Sequence, residues 1–168
     1  QPVFLHDFGL VTADGSPVDY TAVREAFHES FARVWSGGVE DDGFNRLVLS
    51  AGLDWREVVV LRAYCRYLRQ ASIPFSQAYM EDTLASYPDL TRLLVRLFKL
   101  RFDPAFDGDR DGLESTVLVA IEQELDRVAN LDEDRILRRY LNLIQKTLRT
   151  IYFQIAANGE PMSYLSFK

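Results

Sequence analysis

The chain of 168 residues carries 25 acidic and 19 basic side chains, a net charge of −6, which argues against a general nucleic-acid binder. Its composition, 48% hydrophobic and 26% charged, is ordinary for a globular protein, and no run approaches the ~18 apolar residues that a helical membrane span needs. The single cysteine, Cys65, excludes an internal disulfide and suits a reducing cytosol, so a cytoplasmic location is expected.

The charges fall in blocks. Residues 1–54 hold 3 basic and 9 acidic side chains, 55–102 hold 8 and 4, 103–134 hold 2 and 11, and 135–168 hold 6 and 1. Blocks of opposite sign can attract one another within a fold. Sixteen arginines against three lysines suit bidentate pairing with carboxylates.

In chain order, Val3 to Thr12 is an apolar run between Pro2 and the turn Ala13-Asp14-Gly15-Ser16-Pro17, and reads as one extended strand. A lone strand must pair with something else. From Asp19 the period turns helical, with Tyr20, Val23, Phe27, Phe31 and Val34 on one stripe until Gly37-Gly38. A short helix around Phe44 to Ala51 stops at Gly52. Asp54 caps the next, with Glu57 completing a capping box and Leu53 stapling to Val58. Val58, Leu61, Cys65 and Leu68 form its apolar face. Ser76 caps a fourth helix with Phe75 and Met80 as a staple. Pro88 interrupts it, and Asp89 is expected to cap a fifth with the stripe Leu90, Leu93, Leu94, Leu97 and Phe98.

Asp103 to Gly112 reads as a polar loop, followed by a helix marked by Leu113, Val117, Leu118, Ile121, Leu125 and Val128. Asp132 is expected to cap the last helix, with Leu131 stapled to Ile136 and a seam running from Ile136 through Tyr152. After Gln154 the chain loosens, and Ser163 to Phe167 is a candidate short strand. The fold class that follows is mainly α: a bundle of about seven antiparallel helices with a short N-terminal extended strand.

Few residues suggest site chemistry. Asp107, Asp109 and Asp111 followed by Gly112 resemble the front half of a calcium loop. The twelfth position is Leu118 where a bidentate Glu is needed, and the eighth is Glu114, so a solvated acidic loop before a helix is the favoured reading. His6 and His28 have no spaced Cys or His partner, which disfavours zinc. Cys65 falls on an apolar face and reads as an inert buried thiol. No phosphate-binding glycine loop or dinucleotide fingerprint occurs. Arg62, Arg66 and Arg69 line one helix, and Arg135, Arg138 and Arg139 another. Both rows are candidate interface residues, with intramolecular salt bridges as the competing reading. No catalytic, cofactor-binding or nucleic-acid-binding residue stands out, and the chain is expected to bind no cofactor.

Several strings resemble the large-subunit bacterial NAD-specific glutamate dehydrogenases. They are Gly43-Phe44-Asn45-Arg46-Leu47, Gly52-Leu53-Asp54-Trp55-Arg56-Glu57, and the run Leu61 to Gln70, followed by Phe102-Asp103-Pro104. Leu131 to Tyr140, Thr147-Leu148-Arg149-Thr150, Tyr152-Phe153-Gln154 and Tyr164 to Lys168 are similar to the same family. The resemblance implies an internal helical region, with 1–18 the end of a preceding ACT-like module, 19–154 a helical domain, and 155–168 a linker or strand leading to a catalytic domain beyond Lys168. It implies NAD as the cofactor of the parent enzyme, other domains and subunits of that enzyme as partners, and a homo-oligomer such as a tetramer. The role implied for the segment is structural or regulatory. The alternative from the residues alone is a stand-alone helical interaction module.

Overall fold

Helices begin where the sequence supplies a side-chain acceptor for the unpaired amides of the first turn. A computed structural model describes residues 19–162 and 164–168, so the expected strand over Val3–Thr12 lies outside the described residues. Asp19 accepts from Thr21 N and Ala22 N and opens α1 (Tyr20–Trp35). Gly37, at φ +73°, turns the chain out of that helix. Asp42 caps a 3-10 turn (Gly43–Arg46) that runs into α2 (Leu47–Ser50). Gly52, at φ +62°, reverses the chain. The reciprocal capping box forms as expected: Asp54 Oδ1 accepts from Glu57 N at 2.8 Å, and Asp54 N donates to Glu57 Oε2 at 2.9 Å, opening α3 (Trp55–Gln70). Ser76 caps α4 (Gln77–Ser86).

Three helix starts differ from expectation. Asp89 does not cap α5 (Pro88–Phe102). The helix begins at Pro88, whose fixed φ and missing amide suit the first helical position, while Asp89 sits in the first turn and pairs with Arg92. α6 (Arg110–Leu125) starts three residues before Leu113, because Asp109 Oδ1 accepts from Gly112 N at 2.9 Å. α7 (Leu131–Lys146) is capped by Asn130, not Asp132: Asn130 Oδ1 accepts from Asp132 N at 2.9 Å. Leu131 is therefore inside the helix and 63% exposed, so it makes no staple with Ile136. Asp132, Glu133 and Asp134 instead complement the positive end of the helix dipole.

The apolar stripes of α3, α5 and α7 converge. Leu61, Cys65, Leu94, Leu97, Phe98, Leu137, Tyr140 and Ile144 are all fully buried, with Leu84 from α4 and Ile121 from α6. α5 lies against α6, α3 and α7, and α4 lies against α7. The α1 stripe behaves differently. Ala26 and Phe27 touch the core, but Phe31 is 57% and Trp35 83% exposed.

The expected seam from Ile136 through Tyr152 is cut at Thr147, where the backbone turns extended. Thr147 Oγ1 donates to Leu143 O at 2.7 Å, and Leu148 beyond it is 76% exposed. The chain then pairs with its own C-terminus. Leu148 N donates to Lys168 O at 2.6 Å and Lys168 N to Arg149 O at 3.0 Å, around an antiparallel bridge between Thr150 and Phe167. Residues 155–161 make a tight return through Gly159, at φ +81°.

The close approach at Gly43 gives a direct check on this packing. A Cβ there would stand 2.3 Å from Oε2 of Glu81, a buried residue on α4. Gly43→Ala should displace the flexible ends of Glu81 and Arg46 and lower stability by about 1 kcal/mol, the low end of the range for overpacking, read from the urea unfolding midpoint at unchanged slope.

Candidate functional site

The first arginine row is divided by its surroundings. Arg62, on α3, is 2% exposed. Its Nε and Nη2 donate to the two carboxylate oxygens of Asp42 at 2.7 and 2.8 Å, and Nη2 also donates to Asn45 Oδ1 at 3.0 Å. Asp42 accepts from Phe44 N as well, so one carboxylate caps the 3-10 turn and fixes it to α3. Arg66 is exposed and pairs with Glu40 at 2.5 Å, and Arg69 donates to Gln77 Oε1 at 3.1 Å. The structure thus does not bring Arg62, Arg66 and Arg69 to a common open surface.

The second row divides too. Arg138 bridges Asp134 on its own helix at 2.8 Å and Glu122 on α6 at 3.0 Å. Arg135 pairs with Asp132 at 3.2 Å. Arg139 is exposed and has no ion pair among the described residues. Asp107, Asp109 and Asp111 do not converge: Asp109 is spent on the α6 cap and Asp111 lies in the first helical turn. Among the described residues no group of His, Cys, Asp and Glu could hold a metal ion. His28 is on the exposed side of α1, and His6 lies outside the described residues.

Two side chains with nucleophilic or acidic atoms are locked in the core. Burial pushes the Cys65 thiol up to about 11, and its Sγ lies 4.0 Å from Met80 Sδ. Burial also pushes the Tyr64 phenol up to about 12. Since Thr147 Oγ1 already donates to Leu143, the 2.9 Å contact between Tyr64 and Thr147 has the phenol as donor.

Tyr64 heads an aromatic cluster that the sequence reading missed. Phe167 stacks on it with ring centroids 4.4 Å apart and planes 9° from parallel. Phe98 of α5 meets Tyr64, Tyr152 and Phe167 edge-on, at 6.3, 5.3 and 6.1 Å. Arg56 closes the arrangement: Nη2 donates to Tyr152 O at 2.5 Å, and its guanidinium lies 4.6 Å from the Tyr152 ring. Arg101 adds a second tie, donating to Glu114 and to Gln145 O. Arg56 and Tyr152 are 96 positions apart, so no local spacing could have paired them.

Two family descriptions match this chain: "Glutamate dehydrogenase, helical motif 3" over residues 39–104, and "Bacterial NAD-glutamate dehydrogenase, catalytic domain" over residues 120–168. The chain belongs to the bacterial NAD-glutamate dehydrogenase family. It is 46% identical to the NAD-specific glutamate dehydrogenase of Halomonas elongata and 45% identical to that of Pseudomonas aeruginosa, over 98% of the chain in both. It is 40% identical to the Mycobacterium tuberculosis enzyme of that name over 90% of the chain. In each case it spans about 10% of the relative's length. No solved structure matches it.

The family boundary and the packing boundary differ in this glutamate dehydrogenase segment. The catalytic-domain match begins at residue 120, inside α6, whereas the resemblance by itself puts that domain beyond Lys168. Residues of both matched stretches fill one core: Tyr64 and Phe98 from the first, Tyr140, Ile144 and Tyr152 from the second. The 155–168 segment, expected as a linker or strand, packs on that core through Phe167.

Removing one partner of the enclosed pair should cost far more than removing an exposed one. Asp42→Ala should destabilise the chain by about 3–5 kcal/mol, because it strands a buried guanidinium. Arg138→Gln should cost under about 1 kcal/mol. Equal shifts in denaturant midpoint for the two variants would contradict the assignment. Cys65 should resist thiol reagents in the native state and react at the rate of global or local unfolding.

Proposed function

We propose that this chain is a non-catalytic segment of an NAD-dependent glutamate dehydrogenase that couples a helical region to the start of the catalytic domain. The reaction of the whole enzyme would convert L-glutamate, NAD and water to 2-oxoglutarate, ammonium and NADH. No residue described above is assigned a step in it. The observation that carries the reading is the shared aromatic core. Phe167, in the stretch matching the catalytic domain, stacks on Tyr64, in the stretch matching the helical motif. A displacement of either stretch would have to break that stack and the Tyr64 to Thr147 hydrogen bond.

The antiparallel bundle expected from the short connections suits this role, since α5 packs against α6 and α4 against α7. A cytoplasmic homo-oligomer, with other domains and subunits of the enzyme as partners, belongs to the same proposal. Among the described residues no helix is long and apolar enough to cross a membrane. A second reading, a helical interaction module, draws support from the stacked ladder Phe27, Phe31 and Trp35 on α1, with centroids 6.2 and 6.0 Å apart. Such exposed aromatic faces are common protein contacts.

The isolated 168-residue chain should produce no NADH from glutamate and NAD; turnover by the purified chain would overturn the non-catalytic assignment. In the complete enzyme, Phe167→Ala should lower the temperature of activity loss while leaving NAD and glutamate saturation constants within about threefold of the parent's, as expected for a change made away from the substrate sites. A variant indistinguishable from the parent in thermal inactivation would remove the coupling role.

A further inference from the structure

One side of α1 is left over once the helix is seated. The inward side carries Ala26 and the buried Ser30, and α1 lies against α2 and α3. Trp55 of α3 fixes its orientation: Trp55 Nε1 donates to Glu29 at 2.8 Å, and the Arg33 guanidinium lies 4.0 Å from the Trp55 ring centroid. Phe27, Phe31 and Trp35 follow at four-residue steps. Each such step turns about 40° around a helix of 3.6 residues per turn. The row therefore winds away from the core: Phe27 touches it, Phe31 is 57% exposed and Trp35 83%.

The rings are ordered against one another. Phe31 stacks on Phe27 with planes 25° apart, and Trp35 on Phe31 with planes 21° apart. A helix with apolar anchors one turn apart is the form in which a helix enters an apolar groove. Anchors that are already ordered lose little side-chain freedom on docking. The size of the face decides the kind of partner. The open parts of Phe31 and Trp35 amount to roughly 300 Å², taking large aromatic side chains at about 150–250 Å² each. Stable association of separate molecules takes about 800 Å² from each partner. A contact this small holds where a covalent link raises the effective concentration to about the millimolar range. The relatives supply such a link, since this chain spans only about 10% of the length of each.

We propose that the α1 ladder docks into an apolar groove on another part of the same polypeptide, outside these 168 residues, with Trp35 as its central anchor. The proposal rests on the reading of the chain as a segment of a longer enzyme. It adds a second contact to that reading. α1 lies ahead of both matched stretches, 39–104 and 120–168, so its docking is separate from the Tyr64–Phe167 stack that joins those two.

The test uses the complete enzyme, with the photoreactive residue p-benzoylphenylalanine in place of Trp35. After irradiation the expected product has the denatured mass of a single polypeptide, and peptide mapping joins position 35 to an apolar stretch outside residues 1–168. A product of two polypeptides would make a second subunit the occupant and overturn the proposal. So would a crosslink confined to residues 1–168, or no crosslink at all. Hydroxyl-radical footprinting of the unmodified protein gives an independent readout. Trp35 should be oxidised about tenfold more slowly in the complete enzyme than in the 168-residue chain, as for a contact closed in nine molecules of ten. Equal rates would overturn the contact. Phe31→Ser combined with Trp35→Ser should leave the urea midpoint of the 168-residue chain in place, since both side chains are open there, and should speed amide exchange of α1 in the complete enzyme. Unchanged exchange would count against docking. The two readings fail separately: turnover by the isolated chain bears on the non-catalytic assignment, and the position of the crosslink on this contact.

Discussion

Phe167 lying flat on Tyr64 is the contact on which the arrangement of the chain depends. The two rings belong to residues more than a hundred positions apart, and Phe98 meets both edge-on. Beneath them the Tyr64 hydroxyl donates to Thr147 at the point where α7 ends. Thr147 in turn sends the backbone out extended, which allows Leu148 and Arg149 to pair with Lys168. The end of α7, the return of the C-terminus and the closure of the core are thus one event. Offset aromatic pairs contribute about 0.5–1.5 kcal/mol beyond the area they bury, so the cluster is strong enough to hold a short segment that has no sheet of its own.

Charge is distributed by the same logic of proximity. The alternating acidic and basic blocks meet across the fold: Arg62 of α3 with Asp42, Arg101 of α5 with Glu114 of α6, and Arg138 of α7 with Glu122 of α6. Most of these pairs are partly exposed and screened, and they choose register more than they stabilise. Arg62 is the exception. Its enclosure makes the bidentate Asp42 carboxylate its principal counter-charge, with Glu40 at 3.6 Å from Nε as a second, longer contact. That pair fixes the connection around Asp42 to α3.

The relation to the bacterial NAD-glutamate dehydrogenases gives these contacts their meaning. A boundary drawn from sequence families falls within or beside α6, while the core runs across it without interruption. Family boundaries follow which residues co-occur in homologous proteins, whereas a core follows which apolar surfaces are excluded from water together. Here the stretch that matches the catalytic domain packs directly on the stretch that matches the helical motif.

The sequence by itself determined the helices and most of their inward faces. Period, caps and glycine stops are local properties: Asp19, Asp54 and Ser76 cap as their side chains dictate, and Leu61, Leu94 and Ile144 are buried as their spacing requires. Where two local signals competed, at Pro88-Asp89 and at Asn130-Leu131-Asp132, the reading slipped by two residues, because proline and asparagine supplied better starts than the acids that followed. Resemblance carried the family, since runs such as Leu61 to Gln70 recur there as strings. Only the tertiary structure decided which arginines are spent and which remain open. Arg62 and Arg66 stand one helical turn apart, yet one is enclosed by Asp42 and the other faces solvent. The same holds for the Tyr64 cluster, which depends on residues brought from positions 98, 152 and 167. Their meeting is set by the packing of whole helices, and no spacing along the chain encodes it.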